Sequence, residues 1–135
     1  MATAQIYYKG NLRTEITHIH SGSIIQTDAP LDNQGKGQLF SPTDLTASSL
    51  AACMITLMGI SANAHNFVLV PVKAEITKVM ASNPRRIDII QIELRFPDSA
   101  YDDKQKAILK TAAINCPVAK SLHPDITQKV TFIFE

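Results

Sequence analysis

One apolar stretch constrains the fold of this chain more than any other. Residues 41–65, SPTDLTASSLAACMITLMGISANAH, predict a single long helix. Ser41 is a favoured N-cap, Pro42 suits the first helical position because its missing N–H needs no partner there, and Asp44 completes a capping box with Ser41. Apolar residues follow at every angle around the helix axis, which is typical of a core helix rather than a surface helix. We therefore expect the rest of the chain to pack around it.

The segments on either side of this helix show short strand patterns and one amphipathic helix. Alternating apolar residues predict the strands, and clusters of Gly, Pro, Asn and Ser mark the turns. Ser99 and Asp102 are predicted to form the capping box of the second helix. In chain order we expect strands over 4–8, 12–20 and 24–27, a loop over 28–40, the core helix, strands over 72–80 and 86–96, helices over 101–115 and 118–122, and a strand over 128–134. This order predicts an α+β fold, with mostly antiparallel sheet wrapped around a long buried central helix, in one domain over residues 1–135.

Composition excludes several classes of protein. The 135 residues are 45% hydrophobic and 19% charged with a net charge of +1, so no nucleic acid partner is expected. The N-terminus, MATAQIYYKG, has no basic segment followed by an apolar core, which predicts a cytoplasmic protein. The longest apolar run, residues 50–62, falls short of the about 20 residues that a membrane span needs, so no membrane partner is expected either.

The apolar helix also predicts a second copy of the chain. A helix that is apolar on every side needs cover on every side, and one small sheet with one amphipathic helix covers it incompletely. A partner subunit would complete the cover, so we expect a homodimer.

Cys53 and Cys116 are the two cysteines of the chain. The cytosol keeps ordinary thiols reduced, so we interpret the two cysteines as buried core residues or as reactive thiols rather than as a structural disulfide. They have no C-x-x-C spacing, and the four histidines form no recognisable zinc pattern with them. We therefore expect no metal site.

Acidity decides which thiol can react, because the thiolate is the nucleophile. Apolar burial predicts a raised pKa for Cys53, and the helix dipole offsets it little because Cys53 lies roughly three turns from the helix start. Cys116 precedes Pro117 at a predicted helix start, where backbone N–H groups favour an anion. On these grounds Cys116 is the more easily ionised thiol, although both cysteines could simply be small core residues.

Two motifs carry a family resemblance. The string SPTDL at 41–45, followed by AAC at 51–53, and the string NCPVAK at 115–120 before a terminal strand resemble the osmotically inducible protein C and organic hydroperoxide resistance family. The resemblance covers essentially the whole chain. It implies an intertwined homodimer, with the two core helices at its centre and the sites at the subunit interface.

The resemblance also implies thiol peroxidase chemistry without a cofactor. Cys53 matches the peroxidatic thiol of the family and Cys116 the resolving thiol. An organic hydroperoxide would oxidise Cys53 to a sulfenic acid, Cys116 would condense with it to a disulfide, and an external dithiol would reduce the disulfide. The resemblance further implies an arginine from the N-terminal strands that holds the thiolate, and Arg13 is the candidate because it is the only arginine before Arg85.

The chain departs from the family at one position. The glutamate that usually pairs with the arginine falls at Thr43, and the nearest carboxylate, Asp44, has the capping box as its stronger interpretation. This departure affects the expected activity and leaves the expected fold unchanged.

Three functions of different classes remain open. The first is a cysteine peroxidase for organic hydroperoxides. The apolar residues Leu50, Met54 and Leu57 around Cys53 suit a bulky organic hydroperoxide better than hydrogen peroxide. The second is a dimeric module that binds a small apolar ligand. The third is a stress-related sensor whose thiols are oxidised without efficient turnover.

Overall fold

The computed structural model describes every residue, Met1–Glu135. It divides into two compact units, Met1–Thr46 and Ala47–Glu135. The predicted α+β fold class is confirmed, while the single domain over residues 1–135 stays a prediction. The elements are β1 (Ala4–Gly10), β2 (Arg13–His18), β3 (Ile24–Asp28), a short 3-10 helix (Leu31–Asn33), α1 (Pro42–Ala64), β4 (Lys73–Ala81), β5 (Arg86–Phe96), α2 (Asp103–Ile114), α3 (Pro117–Ser121) and β6 (Thr127–Phe134).

The N-terminal unit is a three-stranded antiparallel sheet in the order β1-β2-β3. Its register pairs Ile6 with Ile16 and Ile16 with Ile25, so the three side chains form one row on one face. Ile6 is 66% exposed and Ile25 is 48% exposed. The unit buries Thr27, Asp28 and Ser41 instead. Its apolar face is therefore left uncovered in the single chain.

α1 begins as the sequence predicts. The Ser41 hydroxyl accepts a hydrogen bond from the Asp44 N–H at 3.0 Å, and the Asp44 carboxylate accepts one from the Ser41 N–H at 2.9 Å. The predicted capping box is therefore confirmed, and Asp44 has the capping role.

The burial of α1 differs from the prediction. Its buried residues are Ala47, Leu50, Ala51, Met54, Met58 and Ala62. The exposed positions Thr46, Ser49, Ala52, Thr56 and Ile60 follow one another at intervals of three or four residues and so share a face. Four of these five side chains are small or polar, so the helix is apolar on most sides rather than on every side.

α1 is also long enough to span a membrane. It has 23 residues, and its most apolar 18-residue window has a mean hydropathy of 1.6 with 33% of the window buried. The helix thus extends beyond the apolar run at 50–62, so length alone does not exclude a membrane span. Leu50, Met54 and Met58 belong to the hydrophobic core, and we therefore interpret α1 as a core helix.

The C-terminal unit contains that core. β4 and β5 form the predicted hairpin, and the face of β5 predicted to be apolar is buried. β6 pairs with β5 in parallel, which qualifies the predicted mostly antiparallel sheet. A parallel partner requires a long crossover, and α2 with α3 provides it. The core combines residues of β5 (Ile90, Ile92, Leu94, Phe96), α1 (Leu50, Met54, Met58) and α2 (Leu109, Ala113) with Cys116.

α2 begins later than predicted, and its cap uses different residues. Asp102 is the N-cap and its side chain accepts the Gln105 N–H at 2.7 Å, while the Gln105 side chain accepts the Asp102 N–H at 3.0 Å. The predicted box of Ser99 and Asp102 is wrong, because Ser99 donates its N–H and its hydroxyl to the Glu135 carbonyl at the end of β6. A contact distant in sequence thus takes the place of a local one.

Candidate active site

Cys53 lies in the middle of α1, in the C-terminal unit. Its neighbours Leu50 and Met54 point into the core, so Cys53 stands at the edge of the buried face of the helix. The side chain is partly buried and packs against the core cluster. A thiol in this position is sheltered by apolar groups without being sealed from solvent.

Cys116 is the N-cap of α3 and is fully buried. Pro117 occupies the first helical position, where proline's fixed φ suits the helix start. The Ala119 N–H donates a hydrogen bond to the Cys116 Sγ at 3.4 Å. The turn that the sequence CPVA predicts therefore holds this sulfur in a fixed place.

The structure brings the two thiols together. Cys53 packs against the core cluster that contains Cys116, and its thiol influences the pKa of Cys116. Burial raises the pKa of Cys116, the thiol of Cys53 raises it further, and the Ala119 N–H lowers it only in part. The loss of solvent around the Cys116 sulfur therefore outweighs the backbone N–H groups of the helix start, which were expected to favour its ionisation.

Arg13 belongs to the N-terminal unit, where it forms a two-point ion pair with Asp28. Arg13 Nε donates to Asp28 Oδ1 at 2.7 Å and Arg13 Nη2 donates to Asp28 Oδ2 at 2.9 Å. The side chain of Asp28 is 3% exposed and that of Arg13 is 32% exposed. The hydrogen bonds from Arg13 hold the pKa of Asp28 below its usual value, although burial opposes them.

The loop that follows β3 closes around this ion pair. Gln38 donates its backbone N–H to Asp28 Oδ2 at 3.2 Å, and its side-chain oxygen accepts Arg13 Nη2 at 3.1 Å. The loop folds back tightly, because a Cβ at Gly35 would lie 1.7 Å from the Ala29 carbonyl oxygen. Only glycine fits at that position.

Asp28 is the residue that sequence reasoning missed. The family pattern places the carboxylate partner of the arginine at Thr43, whereas the partner of Arg13 lies at the end of β3, directly opposite Arg13 in the register. The sequence shows opposite charges at Arg13 and Asp28, at the ends of neighbouring predicted strands, but it does not show the register that pairs them. No group of three or more His, Cys, Asp or Glu side chains in residues 1–135 is placed to hold a metal ion.

Comparison with known proteins identifies the family. The OsmC-like protein family matches residues 35–131, which include both cysteines. A crystal structure of a candidate osmotic stress induced and detoxification response protein from Psychrobacter arcticus 273-4 is 50% identical, with a TM-score of 0.93 over 98% of this chain and 96% of that one. The chain belongs to the OsmC-like protein family.

More distant structures share the OsmC-like fold. An organic hydroperoxide resistance protein OsmC from Legionella pneumophila is 15% identical with a TM-score of 0.77, over 98% of each chain. The organic hydroperoxide resistance protein OhrB of Bacillus subtilis is 18% identical with a TM-score of 0.70, over 97% of this chain and 98% of that one. No curated protein matches the chain.

Proposed function

We propose that this OsmC-like protein is a thiol peroxidase that reduces organic hydroperoxides. The observation that supports it most is the proximity of the free thiols Cys53 and Cys116 in one core cluster, on the fold of this family. When two free thiols lie near each other, a sulfenic acid on one can condense with the other to a disulfide. Two related structures carry the name organic hydroperoxide resistance protein, which agrees with this chemistry.

In the proposed reaction the Cys53 thiolate attacks one oxygen of the hydroperoxide. The S–O bond forms as the O–O bond breaks, and the leaving alkoxide takes a proton and departs as an alcohol. The Cys116 sulfur then attacks the sulfenic acid of Cys53, which forms a disulfide and releases water. An external dithiol reduces the disulfide by exchange and restores both thiols.

Cys53 is the better choice for the attacking thiol. A hydroperoxide must reach the sulfur, and Cys53 is partly exposed whereas Cys116 is fully buried. Burial also raises the pKa of Cys116, which lowers its thiolate fraction at neutral pH. Cys116 is better suited to the second step, in which it reacts with a sulfenic acid on the nearby Cys53.

The proposal includes three further elements. Arg13 supplies the cation that lowers the pKa of the Cys53 thiol, and Asp28 replaces the family glutamate as the carboxylate that orients it. The working form is a homodimer. The protein acts in the cytoplasm, where dithiol reductants are available.

The order of the two thiols provides the test. We expect Cys116→Ser to consume one equivalent of tert-butyl hydroperoxide and to leave a sulfenic acid on Cys53, detected by intact mass after trapping. We expect Cys53→Ser to consume none. The opposite result would assign the attack to Cys116.

Two further measurements separate the proposal from its alternatives. Steady-state turnover with a dithiol distinguishes a peroxidase from a sensor. If the wild-type protein consumes no hydroperoxide, the binding module is the one function of the three that remains. Arg13→Ala should shift the pH profile of Cys53 alkylation to higher pH. An unchanged profile would remove Arg13 from the proposal.

A further inference from the structure

The hydrogen bonds of Arg13 occupy one edge of its guanidinium group. Asp28 accepts the Nε–H at 2.7 Å and an N–H of Nη2 at 2.9 Å, and the side-chain oxygen of Gln38 accepts Nη2 at 3.1 Å. Nη2 carries two hydrogens, so one is available for each acceptor. The two N–H groups of Nη1 make no hydrogen bond in residues 1–135. Nη1 is therefore the part of the guanidinium that remains for an anion.

The backbone of Gln38 is held in place on both sides. Its N–H donates to Asp28 Oδ2 at 3.2 Å, and two residues later the Phe40 carbonyl accepts the Asp28 N–H at 3.1 Å. On the other side, the Gly37 N–H donates to the Ala29 carbonyl at 3.2 Å. Gly37 has a φ of +60°, which favours glycine, so the turn that precedes Gln38 is built into the sequence. The position of the Gln38 side chain thus follows from the fold of the loop.

A neutral acceptor at position 38 preserves the positive charge around Arg13. Lys36 lies close enough to Asp28 to help lower the pKa of that carboxyl group. Arg13, Lys36 and Asp28 together carry two positive charges and one negative charge, a sum of one positive charge. A carboxamide oxygen accepts an N–H without adding charge, whereas a carboxylate at position 38 would bring that sum to zero.

An additional contact matters because Arg13 is not sealed from water. Its side chain is 32% exposed, so water competes for its donors. A long side chain also loses rotamer freedom when it is held in one geometry. Asp28 holds the edge formed by Nε and Nη2, and Gln38 adds a contact on the second hydrogen of Nη2. Rotation of the guanidinium has to break both contacts.

We propose that Gln38 is a positioning residue for Arg13, which it holds so that the two N–H groups of Nη1 face the anion of the site. This inference rests on the proposed function, in which Arg13 stabilises the Cys53 thiolate. Gln38 acts through the guanidinium alone and takes no part in the redox step. The reaction therefore depends on a neutral hydrogen-bond acceptor at position 38.

The orientation of Arg13 can be measured directly. Rotation about the Nε–Cζ bond exchanges Nη1 with Nη2, and side-chain ¹⁵N NMR gives the rate of this exchange, with the Arg13 signals assigned by their absence in Arg13→Ala. Gln38→Met keeps the length of the side chain and removes the acceptor. We expect the exchange rate to rise by about fivefold, the effect of one lost hydrogen bond. Gln38→Glu keeps an acceptor and should leave the rate close to that of the wild type.

The pH profile of Cys53 alkylation measures the consequence for the thiol. It is recorded with a thiol-selective reagent in Cys116→Ser, so that only Cys53 reacts. We expect Gln38→Met to shift the profile to higher pH by about half a unit, and Gln38→Glu to shift it further because its carboxylate offsets the cation. Gln34→Met and Gln34→Glu make the same changes at an exposed position of the same loop and should leave both the rate and the profile unchanged.

The two measurements separate this inference from the proposed function. An unchanged exchange rate in Gln38→Met would overturn the inference, and so would equal effects at positions 34 and 38. A normal profile in Gln38→Met would also overturn it if Arg13→Ala shifts the profile. If Arg13→Ala leaves the profile unchanged, the role of Arg13 in the proposed function fails, and the exchange rate alone decides whether Gln38 positions the guanidinium.

Discussion

At the scale of single residues, burial decides the chemistry of the two thiols. Cys116 has the position at a helix start that favours a thiolate, and the Ala119 N–H does contact its sulfur. The same position removes the sulfur from water, and desolvation raises the pKa of Cys116 by more than the backbone N–H groups of the helix start lower it. Exposure therefore distinguishes Cys53 from Cys116 more clearly than helix electrostatics does, and it supports the roles proposed for them.

The ion pair of Arg13 and Asp28 is the other decisive contact at this scale. Its two-point geometry holds the guanidinium in one orientation, and Gln38 contacts both partners. A lysine at position 13 could not reproduce the planar fork, because its ammonium is a point charge. The arrangement provides an oriented cation, as a thiolate-stabilising arginine requires.

Asp28 makes the stability of the protein sensitive to acid. Its pKa is lowered in the folded state, so the contribution of its charge is present above the unfolded pKa of about 3.9 and is lost as pH falls below it. We expect Asp28→Asn to lower Tm at pH 7 and the difference from wild type to shrink below about pH 4. Thermal unfolding from pH 7 to pH 3 measures this.

The matched control is Asp125→Asn, because the Asp125 side chain is 87% exposed. Its Tm should follow the wild type at every pH. A constant difference between Asp28→Asn and wild type across this range would show that the loss is one of packing rather than of charge.

At the scale of elements, α1 provides the centre of the C-terminal core. Leu50, Met54 and Met58 are almost completely buried on one side of the helix and join β5 and α2 in one cluster. The propensity of the segment alone would not hold a helix of this length, since helices in proteins depend on packing of the apolar face. Substitutions on this face should therefore cost the most.

Leu50→Ala tests this role of α1. Leu50 has no exposed surface, so the substitution removes buried methyl groups and leaves a cavity. We expect a loss of about 3 kcal/mol in the free energy of unfolding, measured by urea denaturation at fixed protein concentration. Val68→Ala, at a position that is 78% exposed, should change it by less than about 0.5 kcal/mol. Equal effects would place Leu50 outside the core.

At the scale of the whole molecule, apolar surface remains uncovered in one chain. The row Ile6, Ile16 and Ile25 covers one face of the N-terminal sheet, and Ile60 is 57% exposed on α1. A three-stranded sheet needs cover on its apolar face to be stable in water. A second copy of the chain is the proposed source of cover for these surfaces.

We expect light scattering at micromolar concentration to give the mass of two chains, about 30 kDa from 14.8 kDa each. Ile6→Glu places a charge in the apolar row and should shift the protein towards monomer. Tyr7→Glu is the matched control, because Tyr7 is 71% exposed on the same strand but pairs with Glu15 on the opposite face. A folded, monodisperse wild-type monomer would contradict the dimer, and equal effects of both substitutions would remove the apolar row from the interface.

The sequence by itself determined the features that depend on neighbours along the chain. The start of α1 at Ser41, the buried face of β5 and the short helix after Cys116 follow from capping chemistry and side-chain periodicity. The motifs around Cys53 and Cys116 identified the family that the comparisons then showed. Each of these patterns involves only a few neighbouring residues, so it can be recognised without knowledge of the fold.

Only the tertiary structure decided the features that depend on residues far apart in sequence. Three features require a register or a contact that no local pattern specifies. They are the parallel pairing of β6, the capping box of α2 by Asp102 and Gln105 instead of Ser99 and Asp102, and the pairing of Arg13 with Asp28. The acidity of Cys116 belongs here as well. Desolvation depends on all the atoms packed around the sulfur, and the sequence alone does not specify which atoms these are.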